Sequence, residues 1–230
     1  MKDKIEMNVI AHIQSDFKNK FGIPRQSGIV EALKADIIFK PAYRDINAVR
    51  GLEDFSHIWL IWQFSEVVGK AWSPTVRPPR LGGNQRMGVF ATRSPFRPNH
   101  MGLSCVKLEG ITYTSNKGAI LHVAGADLMD GTPIYDIKPY LPYVDCHTEA
   151  KGGFATPFYD QEIEVVFPKE HLEKVPEEKR QALWKVLAQD PRPSYQNDPK
   201  RLYGMCFAGL EVKFKVNNEQ LVVCEITQSL

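Results

Sequence analysis

Between Met7 and Val123 the apolar residues come in runs too short for helices. Met7–Ile13, Asp36–Phe39, Phe55–Phe64, Met87–Ala91, Ser104–Leu108 and Ala119–Val123 are β-branched or aromatic, and Pro, Gly and Asn punctuate them. Strands that short bury a face only by pairing with one another, and few helices are available to cover them. The pattern therefore predicts a barrel or a strongly bent sheet. "FSHIWLIWQF" is apolar nearly throughout, which predicts a central strand buried on both faces. "WSPTVRPPRLGGNQ" carries three prolines and two glycines, so it reads as a long irregular loop, and long ordered loops are often functional. No internal repeat is visible.

The character changes after Cys146. "HTEAKGGFATP" reads as a linker or exposed loop and "EIEVVFP" as a strand. "VPEEKRQALWKVLAQDP" reads as a helix: Pro176 suits its first turn, Glu177 and Glu178 its positive end, and Asp190-Pro191 stops it. "EVKFKV" alternates, and Asn217-Asn218 turns it into "QLVVCEI", so the chain closes on a hairpin. The expected fold is mainly β with an α+β part: a β-barrel domain over residues 1–150 and a small C-terminal α+β domain over residues 151–230.

An apolar share of 43% and a charged share of 24% are those of an ordinary globular protein. No apolar run approaches the roughly 18 residues of a membrane span. The start, "MKDKIEMNVIAHIQSDF", has early acids and no apolar h-region, so no signal peptide and a cytoplasmic location are expected. Four cysteines without a CxxC pair fit a reducing compartment and read as small core hydrophobes, with no zinc finger and no disulfide framework. No metal is expected, since Asp127 and Asp130 are not joined by a ligand set.

The formal net charge of +2 hides an asymmetry. From Val67 to Leu108 there is no acid, while Lys70, Arg77, Arg80, Arg86, Arg93, Arg97 and Lys107 give that window +7 against −5 for the remainder. Arginine grips phosphates and carboxylates with a planar fork, so a polyanion, RNA above all, is the expected partner. Common engines are missing: no GxGxxG after a strand, no Walker loop, no HExxH and no GxSxG.

Five blocks, "AVRGLEDFSHIW", "RPPRLGG", "GVFATRSPFRPNHMGLS", "LMDGTPIYDIKPYLPYVD" and "QDPRPSY", occur in order over most of the chain. Together they resemble the TrmO family of tRNA methyltransferases. The resemblance implies a single-sheet β-barrel that binds S-adenosylmethionine without a Rossmann fold and works as a homodimer. It implies methylation of N6 of threonylcarbamoyladenosine, 3′ of the anticodon in tRNA. It also implies that four segments touch the cofactor: Pro24-Arg25-Gln26, Arg93, Leu103, and the turn Asp130-Gly131-Thr132-Pro133. Where the family carries a histidine after the "FSHIW" strand, this sequence has Ser65-Glu66, which leaves a backbone contact or a different polar group.

The residues suit that chemistry. Pro24 fixes the backbone beside Arg25 and Gln26, and Arg93 offers a cation to a carboxylate. Leu103 offers backbone and an apolar wall to an adenine. The amides and the Thr132 hydroxyl of "DGTP" are expected to face one point. Threonylcarbamoyladenosine has its own carboxylate, for which an arginine fork is the natural clamp. Asp190, Arg192 and Tyr195 bring a carboxylate, a cation and a phenol together directly after the helix. By the resemblance this loop lies near the active site, across a dimer interface. Arg192 is the first choice for the substrate carboxylate, with Arg97 next, and Asp190 either orients Arg192 or accepts the N6 proton. The alternatives are a non-catalytic RNA-binding β-barrel and an enzyme acting on a small anionic metabolite.

Overall fold

The computed structural model describes residues 4–81, 85–158, 161–192, 196, 198–217 and 220–229. Six antiparallel strands close into a barrel: β1 (Ala11–Gln14), β2 (Lys34–Phe39), β3 (His57–Gln63), β6 (Met101–Thr114), β7 (Gly118–Ala124) and β8 (Pro133–Pro139). The order around the barrel is β1-β2-β7-β6-β3-β8, and β8 pairs back onto β1. β6 is long enough to serve two neighbours. Its first half pairs with β3 and its second with β7, and an irregularity between Leu108 and Gly110 bends it from one to the other. Ile13, Ile37, Ile58, Leu60, Leu121 and Ile134 meet inside with no exposed surface.

Two readings of the sequence are corrected here. β3 is not buried on both faces: Ile58, Leu60 and Trp62 point inward, and the residues between them are half-buried on the outer wall. A barrel strand has one interior face, and the outward Trp59 is covered in part by Tyr140, whose ring lies tilted to it at 5.8 Å. The proline-rich loop is not wholly irregular. Thr75–Val76 (β4) pairs with Met87–Gly88 (β5), making it a two-stranded arm. β8 went unread because proline stands at both its ends; each lies where no ladder donor is required.

A short helix, α1 (Pro142–Asp145), follows the barrel, and β9 (Glu164–Val166) and α2 (Lys169–Leu172) lead into α3 (Glu177–Ala188). β10 (Tyr203–Phe207), β11 (Leu210–Asn217) and β12 (Gln220–Gln228) complete a four-stranded sheet ordered β10-β11-β12-β9. The expected helix and β11–β12 pair are present, although Asn218 in the predicted turn lies outside the described residues. The sheet's apolar face, including Phe207, Phe214 and Leu221, is covered by Leu183, Val186 and Leu187 of α3.

The cover is completed from the other end of the chain. Phe17, Val30 and Leu33, in the loop between β1 and β2, belong to this second core, and Phe17 meets Phe207 edge-on at 5.4 Å. Asp16 ties the same loop down twice, accepting Lys179 Nζ at 2.6 Å and the Ala208 amide at 2.9 Å. Gly22 runs so close to the sheet that a Cβ would lie 2.5 Å from Met205 Cε. The cysteines are not core hydrophobes: Cys146 and Cys224 are exposed, and Cys105 and Cys206 are half-buried.

Candidate active site at the barrel mouth

Chain direction decides which loops meet. β1, β3 and β7 end at one rim of the barrel, where β2, β6 and β8 begin. The loops 15–33, 64–100 and 125–132 therefore gather at one mouth, and they carry all the predicted cofactor residues except Leu103 and Pro133, which open β6 and β8.

Several of these residues are joined directly. Arg93 donates from Nη1 to Gln26 Oε1, which links the basic window to the β1–β2 loop across 67 positions. Gln26 in turn donates to the Arg25 carbonyl. Among the described residues no carboxylate lies within 4 Å of the Arg93 guanidinium, so its charge is held in place by a neutral partner. Leu103 presents its side chain outward and is 53% exposed, an apolar surface where β6 opens. Ser65 and Glu66 form an exposed turn after β3, where Glu66 faces Lys20 at 3.7 Å.

The turn Asp130–Pro133 departs from expectation. Its amides do not face a common point: Asp130 donates to the Phe17 carbonyl, Gly131 to Ile13 and Thr132 to Met129. The buried Thr132 hydroxyl also donates to Met129, at 2.6 Å. The Gly131 and Asp130 donors tie the β7–β8 turn to β1 and to the loop that follows it, and the Thr132 donors close the turn on itself. The Asp130 carboxylate remains at the surface, accepting from the Ser15 amide at 3.0 Å and from Lys18 at 2.5 Å.

A buried polar relay to which the sequence reading gave no role in the site lies near the same rim. Trp62 lies flat over Gly102, where a Cβ would stand 2.2 Å from its ring, and its indole donates to Ser104 Oγ at 2.9 Å. Ser104, 1% exposed, donates on to Asp127 Oδ1 at 2.6 Å. Burial pushes the Asp127 carboxyl up from its ordinary range, against the Ser104 bond, its own and the Ser27 amide, and the Arg93 charge, all of which hold it down. Ser27 is itself anchored, its hydroxyl accepting from the Cys105 amide at 3.1 Å. The one sequence signal was an acid directly after an apolar strand, which is common at loops.

The C-terminal loop reaches the same neighbourhood within one chain. Pro24 and Arg25 share a small cavity of about 40 Å³ with Gln189, Asp190 and Pro191. Asp190 takes a left-handed backbone (φ 47°), unusual without glycine, and its carboxylate accepts from Arg192 Nε at 2.9 and 3.0 Å. Tyr195, the third residue expected there, lies outside the described residues. Arg97 spends one donor on the Thr92 carbonyl at 3.1 Å.

Residues 12–146 match the tRNA-methyltransferase O N-terminal domain family, and residues 160–229 match the TrmO C-terminal domain family. The class is thus a barrel protein of the methyltransferase type, built without a Rossmann sheet. The chain belongs to the TrmO family. It is 41% identical over 217 residues to the tRNA (adenine(37)-N6)-methyltransferase of Escherichia coli K12, covering 91% of this chain and 92% of that protein. A Pseudomonas aeruginosa relative, provisionally named the S-adenosylmethionine-dependent methyltransferase RcsF, is 38% identical over 93% of both chains. The crystal structure of TrmO from Pseudomonas aeruginosa superposes with a TM-score of 0.78 at 31% identity, covering 97% of this chain and 99% of that one. No helix among the described residues is long and apolar enough to cross a membrane.

Proposed function

We propose that this protein methylates N6 of threonylcarbamoyladenosine at the position 3′ of the anticodon in tRNA, with S-adenosylmethionine as donor. The observation that carries the reading is the Arg93–Gln26 contact: it brings a cation, which makes no ion pair within 4 Å among the described residues, to a mouth that also holds an exposed apolar wall at Leu103. That pairing suits a ligand with both a carboxylate and an adenine. The donor, when bound, supplies a methyl group made electrophilic by a sulfonium.

The chain's own residues do the rest. Arg93 and Gln26, with Pro24 and Arg25 behind them, hold the donor's carboxylate. Leu103 covers its adenine, and Ser65, Glu66 and the turn Asp130 to Pro133 line the remaining wall. Arg192 clamps the carboxylate of the substrate, and its contact with Asp190 favours the orienting role for that acid. Tyr195 closes the same loop. The arm bearing Arg77, Arg80 and Arg86 grips tRNA backbone. Rate comes largely from alignment of nitrogen, methyl and sulfur by these fixed groups. We further propose two domains, residues 1–150 and 151–230, a homodimer, and a cytoplasmic location, the natural setting for a tRNA substrate.

The test compares tRNA carrying threonylcarbamoyladenosine with tRNA carrying plain adenosine at that position. The wild type should strongly prefer the first, because a site built around a charged group loses much when the group is missing. Arg192→Ala should lose most of that preference. If it discriminates as sharply as the wild type, the clamp lies elsewhere.

A further inference from the structure

The outer wall of the barrel carries a second concavity. From the Asp130-Gly131 corner of the mouth, a cleft of about 310 Å³ runs over β1 and β2, its polar lining formed by His12, Gln14, Lys40, Arg44 and Asp130 itself. His12 and Gln14 are the outward residues of β1, and Lys40 and Arg44 stand just beyond the end of β2.

The cleft is cationic on balance: Lys40 and Arg44 face a single lining acid, Asp130, whose carboxylate already accepts from Lys18. Arg44 is locked by donating Nε to the Phe39 carbonyl at 3.0 Å and Nη1 to the Asn116 carbonyl at 2.7 Å, partners that carry no formal charge. Its stem is wedged against the β6–β7 turn, where a Cβ on Gly118 would lie 2.8 Å from Arg44 Cβ. Among the described residues no carboxylate lies within 4 Å of Lys40 or Arg44. The acids around the cleft are already engaged: Asp130 with Lys18 and the Ser15 amide, and Asp36, opposite Gln14, with His122 at 2.7 Å. His12 reports the resulting field. Burial first, and then the Lys40 charge, lower its pKa, so at neutral pH the ring is an uncharged donor and acceptor near Lys40.

We propose that this cleft is a phosphodiester subsite, which takes a backbone phosphate of the tRNA whose modified nucleotide occupies the mouth. The assignment rests on the reading of the protein as a tRNA enzyme. A fixed guanidinium at Arg44, an exposed ammonium at Lys40 and a neutral imidazole suit an oxyanion, since a phosphate offers several acceptors and needs charge more than shape. The position beside Asp130 and Gly131 gives the chain of the RNA a path from the mouth along the barrel wall. It is separate from the arginine arm, which lies in the β3–β6 connection.

The test uses the full-length protein, tRNA and inorganic phosphate. Binding of tRNA is measured over a salt series for the wild type, Lys40→Gln and Arg44→Lys. Each lost phosphate contact should reduce the slope of log affinity against log salt by about 0.9. Lys40→Gln should show that reduction, and Arg44→Lys, which keeps charge but loses the fork, a smaller one. In parallel the His12 ring is titrated by NMR. An anion beside it favours the imidazolium, so tRNA should raise the His12 pKa. Folded variants with wild-type affinity and slope overturn the subsite, as does a His12 titration that tRNA leaves unmoved. A His12 shift with inorganic phosphate but none with tRNA likewise overturns it, leaving a small-anion site only. Failure of the wild type to bind tRNA at all would instead sink the underlying reading of function.

Discussion

The barrel and the C-terminal sheet are both antiparallel in the main, yet they solve the problem of an exposed face in opposite ways. The barrel closes on itself, so its inward residues from Ile13 to Ile134 cover one another, with a few loop residues such as Val49, Ala126 and Leu128 filling in. The loops at the mouth are left to carry Arg93, Gln26 and Asp127. The four-stranded sheet cannot close. It buries Phe207 and Phe214 only by recruiting α3 and by borrowing Phe17, Val30 and Leu33 from the barrel's first loop. Its lack of closure thus has a function: the loop that carries Pro24, Arg25 and Gln26 is held by apolar burial on one side and by the mouth on the other.

The largest test of that contrast is Phe207→Ala. A buried Phe truncation should cost about 3–5 kcal/mol, measured by denaturant unfolding. If the sheet is the clamp for the β1–β2 loop, affinity for S-adenosylmethionine should fall as well, although Phe207 is remote from Arg93 in the chain. Undiminished donor affinity in the folded variant would show that the mouth holds its loop unaided.

Arg93→Ala addresses the mouth alone. Losing one charge-assisted contact should weaken donor binding by roughly 1.5–3 kcal/mol and leave the unfolding midpoint nearly unchanged, because an exposed arginine bonded to Gln26 is not a packing group. Calorimetry giving wild-type affinity would remove Arg93 from the site.

Ser104→Ala should cost about 1–3 kcal/mol of stability, since it strands the Trp62 indole and one oxygen of Asp127. The loss should depend on pH with a defined sign. Asp127 has a raised folded pKa, so the folded protein binds that proton more tightly than the unfolded chain and loses stability as pH rises through that value. The Ser104 bond lowers the same pKa, and removing it raises it further. The variant's deficit should therefore be larger at neutral pH than near pH 4. A deficit that is flat across that range would mean the carboxyl is indifferent to Ser104.

Much of this protein was readable from residue order. Short β-branched runs punctuated by turn residues specify strands that pair, the 3.6-residue period of Ala182, Leu183, Val186 and Leu187 specifies α3, and the acid-free window from Val67 to Leu108 marks the basic arm, because these signals are local. The five blocks, among them those around Arg93, Asp130 and Asp190, marked the family and a candidate site for the same reason: each is a contiguous string. Tertiary structure alone decided what those strings do to one another. That the "DGTP" amides are spent on Phe17, Ile13 and Met129, that Arg93 meets Gln26, and that Asp127 closes a relay from Trp62 through Ser104 all depend on contacts between distant positions. Periodicity records which face of a strand is apolar. Which polar atoms finally share a mouth is set by barrel closure, register and strand direction, and those are properties of the paired sheet rather than of any one segment.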